Sequence, residues 1–287
     1  MAESLIDVRS RIASTKKTSQ ITKAMYMVSS SKVKRSQQTY LNYQDFLSRI
    51  RQLVATTLKN VGEDFSYPMF DKREVKTTAY LLISSDTGLA GPYNTNVFKH
   101  FEQLVSETKE DYVVWTIGRK AYSYIKGKNH PLINTSPTLV RDDVMYVDIV
   151  PLAKQFVEAY LKGEIDKIVI VYNHFVNSLT IETTSEVLLP ISEIESDVEE
   201  KEREFLFEGG IDNIVEKIMP MYIQAVVYGV ILDAKISEHS SRMNSMKSAT
   251  DNAEEVINKL QILYNRARQS AITTELIDII AGANAVE

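Results

Sequence analysis

The sequence predicts a mixed α/β protein in which two long terminal helices pair antiparallel as a coiled coil, with a Rossmann-like, three-layer α/β domain inserted between them. Three observations carry this: the placement of glycine and proline, a long apolar stripe near the C-terminus, and strand–helix alternation in the middle. The expected boundaries are 1–60 for the first helix, 61–208 for the inserted domain and 209–287 for the last helix.

The helix breakers come first. The first glycine is Gly62 and the first proline Pro68, so nothing interrupts a helix before them. After Pro220 only Gly229 precedes Gly282. Both ends can therefore run as long helices, and the breakers concentrate between them.

The last segment carries the stripe. Alternate steps of three and four from Ile211 reach Ile214, Ile218, Met221, Ala225, Tyr228 and Leu232, and later Ala253, Val256, Leu260, Leu263 and Ile277, mostly apolar or small. A 3.5-residue period held for about ten heptads makes a coiled-coil seam, because a straight helix would drift off the face. Such a helix is on the order of 100 Å long. The N-terminal segment shows the same steps in Tyr40, Tyr43, Leu47, Ile50, Val54, Thr57 and Val61, with a weaker stripe through Leu5, Val8, Ile12 and later Met25 and Val28.

The middle alternates. Lys76–Ser84 reads as a buried strand, followed by the turn Gly88-Leu-Ala-Gly91 and a helix over Asn94–Thr108. Tyr112–Ile117 is a second strand and Arg119–Lys126 a short helix; an amphipathic helix around Val144–Leu161 leads to the strand Lys167–Tyr172. Leu179–Leu188 follows too closely for a crossover helix, so it should pair antiparallel with that strand. Alternation of this kind gives a mostly parallel sheet covered on both faces.

If Asn60 stands opposite Gly209, residue i faces roughly residue 269 − i. Met1 then falls near Arg268, and the residues beyond it, rich in Ile, Leu and Ala, have no partner in this chain. An exposed apolar helix end needs something to enclose it. The same register sets the polar seam positions Lys235, His239 and Arg242 opposite Lys34, Ser30 and Met27, which predicts a loosely packed or differently engaged section there.

Composition narrows the function. There are no cysteines among 287 residues, which excludes disulfides, thiolate metal sites and cysteine nucleophiles. The charged N-terminal stretch lacks the apolar core of a signal peptide, and Ala225–Leu232 is among the longest apolar runs, far short of the roughly 18 residues of a membrane span. A soluble, cytoplasmic protein is expected. The net charge of −5 hides a segregation: residues 1–59 hold 11 basic and three acidic side chains, residues 60–208 hold 15 and 25, and residues 209–287 hold 7 and 10. Eight basic residues and no acid lie between Arg9 and Arg35, which fits a solvated helix face, a nucleic-acid surface or the lining of an acidic protein ring. With Tyr26 as the one aromatic there, no base-stacking platform exists and nucleic acid is disfavoured.

Catalytic patterns are scarce. His100, His130, His174 and His239 are scattered without metal-ligand spacing, and the Gly88–Gly91 turn matches no phosphate-binding fingerprint. No catalytic residue, metal or cofactor is expected. The acidic run Glu193–Glu208 reads as a solvated linker, with Phe205-Leu-Phe207 able to anchor a contact.

Specific strings go further. Ile12-Ala-Ser-Thr-Lys-Lys-Thr-Ser-Gln-Ile-Thr-Lys-Ala-Met-Tyr-Met-Val-Ser-Ser-Ser-Lys32, Ser241-Arg-Met-Asn-Ser-Met-Lys-Ser-Ala-Thr-Asp-Asn-Ala253 and the ending from Tyr264 to Ala283 resemble the gamma subunits of F-type ATP synthases, as does Ser84-Ser-Asp-Thr-Gly-Leu-Ala-Gly-Pro-Tyr-Asn94. These matches span the chain in family order. The resemblance implies a non-catalytic central rotor that couples proton-driven rotation of a ring of c subunits to conformational change at the ATP sites. Its partners would be a hexamer of alpha and beta subunits carrying those sites, the epsilon subunit and the c-ring, at the cytoplasmic face of the cell membrane, peripheral and without insertion. It further implies hexamer contacts at Lys16, Lys17, Lys23, Met25, Arg242, Arg268, Gln269 and Thr273, and a c-ring foot at Leu206, Phe207 and Glu208. Gly209-Gly210 stands where a proline often follows the foot's glutamate, Thr87 where many members have arginine, and Pro92 where many have glycine or alanine.

Overall fold

A computed structural model describes residues 5–59, 67–70, 73–136, 141–191 and 211–284. Helix α1 runs over Leu5–Lys59 and α5 over Ile211–Asn284. Between them lie β1 (Thr77–Ile83), α2 (Tyr93–Glu107), β2 (Asp111–Ile117), α3 (Arg119–Gly127), α4 (Tyr146–Leu161), β3 (Lys167–Phe175) and β4 (Ile181–Leu189). The strands and helices expected between the two terminal helices appear within three residues of their expected ends. The residues pack as two compact units, one of 30–242 and one of 1–29 with 243–287.

The larger unit is built on one four-stranded sheet in the order β2-β1-β3-β4. β1 pairs parallel with both β2 and β3, and β4 pairs antiparallel with β3. Strands buried on both faces read as continuous apolar runs, which is why Ala79-Tyr-Leu-Leu-Ile lacks alternation. Tyr80, Leu82, Val114 and Val171 face a core completed by Val97 and Phe101 of α2 and Ala121 and Ile125 of α3. On the other face, Ala79, Leu81, Ile117, Ile168 and Ile170 meet Phe156 and Tyr160 of α4, together with Leu47, Ile50 and Val54 of α1 and Met219, Ile223, Val227 and Ile231 of α5. The stretches of α1 and α5 that belong to this unit are thus a layer of the sheet's own core. Segment 131–134 covers the outer edge of β2, through Val114 N–H to Pro131 carbonyl and Ile133 N–H to Val114 carbonyl.

Within this unit the pair is antiparallel. Tyr43 Oη donates to the Ala225 carbonyl at 2.9 Å. Gly229 lies against Leu47 and Tyr43, with a hypothetical Cβ 3.3 and 3.4 Å from their side chains. Counting expects Gln44 opposite Ala225 and Tyr40 opposite Gly229, so the hydrogen bond falls within one residue of the counted register while the Gly229 contacts lie one to two turns along it.

Helix α5 contains a stretch apolar enough, by length and composition, to cross a membrane, longer than the run-length reading allowed; 56% of that stretch is buried in the protein. An all-round apolar helix is the signature of a core element as well as of a span, and here Ile223, Ala225, Val227, Ile231 and Ala234 are buried at 0 to 1% exposure.

The smaller unit is a helix pair. Its buried residues among those described are Val8, Ser19, Thr22 and Ser29 on α1 and Met246, Thr250, Ala253 and Leu260 on α5; Val28, Val256 and Leu263, expected on the stripe, are exposed instead. Much of this seam is small or hydroxylated. Thr22 and Thr250 hydroxyls lie 2.8 Å apart, where counting places Ser19 opposite Thr250, again a one-turn displacement. Exposed threonines on α1 bond back to carbonyls four residues earlier, Thr15 to Arg11 and Thr18 to Ser14, which lets a Ser/Thr-rich segment stay helical. From Arg268 to Ala281 every residue of α5 is exposed, including Ile272, Leu276, Ile277, Ile279 and Ile280.

Candidate functional site

The larger unit gathers its polar chemistry around one stretch of α5. In a doubly wound sheet the ligand crevice opens beyond the strand C-termini where crossovers diverge, here between β1 and β3. Two loops meet there, 84–92 after β1 and 176–180 after β3. Instead of leaving an open crevice, they close on α5 between Asp233 and Arg242.

The contacts are specific. Tyr93 Oη donates to the Ala234 carbonyl at 3.0 Å, and burial raises this phenol's pKa well above the ordinary value. Asp233 accepts from the Phe175 amide at 3.0 Å and lies 2.6 Å from His174 Nδ1. Burial raises the Asp233 pKa, and His174 works against that rise. Ser240 donates to the Ser178 carbonyl at 3.0 Å and Ser241 to the Ala90 carbonyl. Arg242 reaches the Gly88 carbonyl, the Thr87 hydroxyl at 3.0 Å and Glu238 Oε1 at 2.8 Å.

Local geometry explains why these loops can approach. The 84–92 loop carries Leu89 at φ 61° and Gly91 at φ 54°, so the chain doubles back and turns its carbonyls to α5. Gly118 stands at φ +92° with its backbone against Ser84, where a Cβ would fall 2.2 Å from the Ser84 oxygen. Only glycine fits there. Asn94 Oδ1 accepts from the Ser85 amide at 3.0 Å and ties the loop to the first turn of α2.

Beside this collar lies a cleft of about 560 Å³ lined by Lys32, Arg35, Arg141, Asp142 and Asp143 together with polar residues of α5. Asp142 lies 2.6 Å from Lys32 Nζ, 3.3 Å from Lys235 Nζ and 3.0 Å from His239 Nε2, the last without hydrogen-bond alignment. Lys235 Nζ lies 3.0 Å from Glu238 Oε2. Burial opposes the Asp142 charge, yet the Lys32 hydrogen bond and the neighbouring positive groups hold its pKa at about 2. Burial pushes His239 down to about 4, against the pull of Glu238. His239 is therefore neutral at pH 7, and the two lysines supply the attraction that keeps Asp142 ionised.

The polar seam positions Lys235, His239 and Arg242 are buried, at 8, 1 and 8% exposure. The section is differently engaged, as the expectation allowed: the inserted loops and Asp142 stand against these residues, and Lys32 and Arg35 of α1 face them across the cleft. Arg242, expected at the hexamer, directs its guanidinium to this chain's own Glu238, Thr87 and Gly88.

The other expected contact residues stand apart, in the smaller unit. Lys16, Lys17 and Lys23 are exposed, as are Arg268, Gln269 and Thr273, while Met25 is half-buried. The Thr273 hydroxyl bonds back to the Gln269 carbonyl at 2.9 Å. The basic residues Arg9 and Arg11 are exposed as well. Leu206, Phe207 and Glu208, the Glu193–Glu208 run and Gly209-Gly210 lie outside the described residues. No group of three metal-ligating side chains occurs among the described residues.

The loops gripping α5 are what sequence reasoning missed. Their trace was available: from Asp233 to Arg242 only Ala234 and Ile236 are apolar, so polarity surrounds the helix instead of leaving a 3.5-residue stripe intact.

Comparison with known proteins agrees with this architecture. The ATP synthase family model (ATP-synt) matches residues 4–286. An ATP synthase gamma chain of Exiguobacterium sibiricum is 39% identical over 284 residues, spanning 98% of this chain and 99% of its own length. One of Macrococcus caseolyticus is 40% identical over 290 residues, spanning 99% of each. Among solved structures, a chain of the Euglena gracilis mitochondrial ATP synthase OSCP/F1/c-ring superposes with a TM-score of 0.67 at 18% identity, over 98% of this chain and 94% of that one. A chain of the Tetrahymena thermophila central stalk/c-ring gives 0.60 at 22% identity, over 80% of this chain and 99% of that one. At these identities the structures speak to the fold, whereas the near-full-length relatives speak to descent: the chain belongs to the ATP synthase gamma-chain family.

Proposed function

We propose that this chain is the central rotor of an F-type ATP synthase, coupling proton-driven turning of a c-ring to conformational change at ATP sites on partner subunits. The observation that carries the reading is the far end of α5, where Ile272, Leu276, Ile277, Ile279 and Ile280 are 48 to 62% exposed. A row of exposed isoleucines and leucines is a surface built to be enclosed. A hexamer of alpha and beta subunits is the enclosing body, and Arg268, Gln269 and Thr273 belong to the same exposed stretch.

The chain itself is the moving part and holds no active site. Rotor angle biases the open–closed equilibrium of each partner site, because each angle offers that site different contacts. Exposed Lys16, Lys17 and Lys23 complement acidic loops of the beta subunits, an attraction effective only within about a Debye length, ~8 Å at physiological salt. Leu206, Phe207 and Glu208, with the epsilon subunit, form the foot on the c-ring. The chain is peripheral at the cytoplasmic face of the cell membrane and is not inserted; the apolar stretch of α5 serves a protein core.

A pull-down of the tagged full-length chain in gentle detergent tests this. Two nucleotide-binding subunits should co-purify, each in threefold excess. Recovery of the chain alone, or with nucleic acid at physiological salt, would refute it.

A further inference from the structure

We propose that Asp142 is a positioning residue for rotary coupling: its carboxylate latches the inserted domain to both long helices, so that torque crosses this junction without slip. The inference rests on the rotor reading above. Asp142 belongs to the segment leading into α4, yet its oxygens lie 2.6 Å from Lys32 on α1 and 3.3 Å from Lys235 on α5. From Lys235 the charges continue to Glu238 at 3.0 Å and to Arg242 at 2.8 Å, and Arg242 ends on Thr87 of the loop after β1. Alternating charges therefore run from α1, through the inserted domain, along α5 and back into the inserted domain.

The same segment is fixed at a second height. The Val144 carbonyl accepts from Tyr228 Oη at 3.1 Å, and Tyr146 Oη donates to Gln224 at 3.0 Å. The Tyr146 ring meets Tyr228 of α5 edge to face at 5.8 Å and Phe46 of α1 edge to face at 6.4 Å. Residues 142–146 thus form a bracket that touches both helices at two points. Apolar contact is non-directional and tolerates sliding, whereas charge-assisted hydrogen bonds hold one register. Within the bracket, Val144 and Tyr146 give neutral hydrogen bonds to α5, and Asp142 supplies the charged contacts that reach α1 as well as α5. Its loss leaves Lys235, 8% exposed, with Glu238 as its remaining carboxylate, already shared with Arg242.

The test uses the assembled complex in membrane vesicles, reading proton uptake per ATP hydrolysed. D142N and D142A should lower that ratio about threefold while hydrolysis continues, a shift within the range of coupling mutations. D142E should restore most of it, and adding K235M to D142A should cost nothing further. A wild-type ratio in D142N, or additive losses in the double variant, would overturn the proposal. D142N has the volume of aspartate and decides the matter by the same ratio if D142A fails to assemble. If even the unmodified complex hydrolyses ATP without proton uptake, the rotor reading fails instead. The latch is then judged on the full-length chain by amide exchange at Val144–Asp148, faster in D142N if it exists and unchanged if it does not.

Discussion

The phenol of Tyr93 donates a hydrogen bond of 3.0 Å to the carbonyl of Ala234, so the first residue of α2 grips α5 beyond the ends of β1 and β3. Both partners are buried, at 3 and 1% exposure. In related doubly wound folds this position takes a ligand. Here α5 fills it. Removing the hydroxyl in Y93F deletes this tertiary hydrogen bond, while the Ala234 carbonyl keeps its helical donor, and should destabilise the chain by about 0.5 to 1.5 kcal/mol. Urea unfolding of the full-length protein checks this, and calorimetric titration with ATP should show no saturable binding to wild type or variant.

Gly118 predicts a larger effect. A methyl group at this position would meet the Ser84 oxygen at 2.2 Å, on a backbone at φ +92°. G118A should cost about 2 to 4 kcal/mol, combining the conformational penalty with displacement of the β1 loop. Gly127, with open space around it, serves as the control.

The pH dependence follows from His239. Its pKa falls from the ordinary value of 6.5 to about 4 on folding, so the unfolded chain binds the proton first. That contribution is complete above pH 6.5 and is lost as pH falls towards 4, on the order of 2 kcal/mol between pH 7 and 4.5. H239Q should flatten the stability profile over this window in denaturant titrations at successive pH values. Asp142 acts lower: its folded pKa of about 2 against an ordinary 3.8 gives stability present above 3.8 and lost towards 2.

Neutralising Lys16, Lys17 and Lys23 together separates partner contact from folding. All three are exposed. The triple glutamine variant should melt within about 2 °C of wild type, because exposed charges contribute little to stability. ATP turnover of the assembled complex should nevertheless change, and its salt dependence should weaken. A large melting shift with unaltered turnover would show that these lysines serve the fold.

The terminal helices, the strand order of events and the antiparallel β4 were legible because each rests on local pattern: absent breakers, a 3.5-residue stripe and a short β3–β4 connection. The helix register was not. Counting from Asn60 and Gly209 ignores which side chains interlock: Thr22–Thr250 lies about one turn and Gly229–Leu47 about two turns from the counted pairs, while Tyr43–Ala225 falls within one residue of its own. The burial of Lys235, His239 and Arg242 was equally hidden, since it depends on Asp142 and Thr87, some ninety or more residues distant, reaching α5 only after the sheet has formed. Local chemistry could not announce either that the Arg242 guanidinium bonds Glu238, Thr87 and Gly88 within the chain.

The central claim is mechanical, and watching the chain turn tests it most directly. With the alpha–beta hexamer fixed to a surface and a probe attached to the inserted domain, ATP should drive rotation in one direction, pausing three times per turn as three catalytic sites fire in sequence. Steady ATP hydrolysis by the hexamer with a stationary probe would contradict the account.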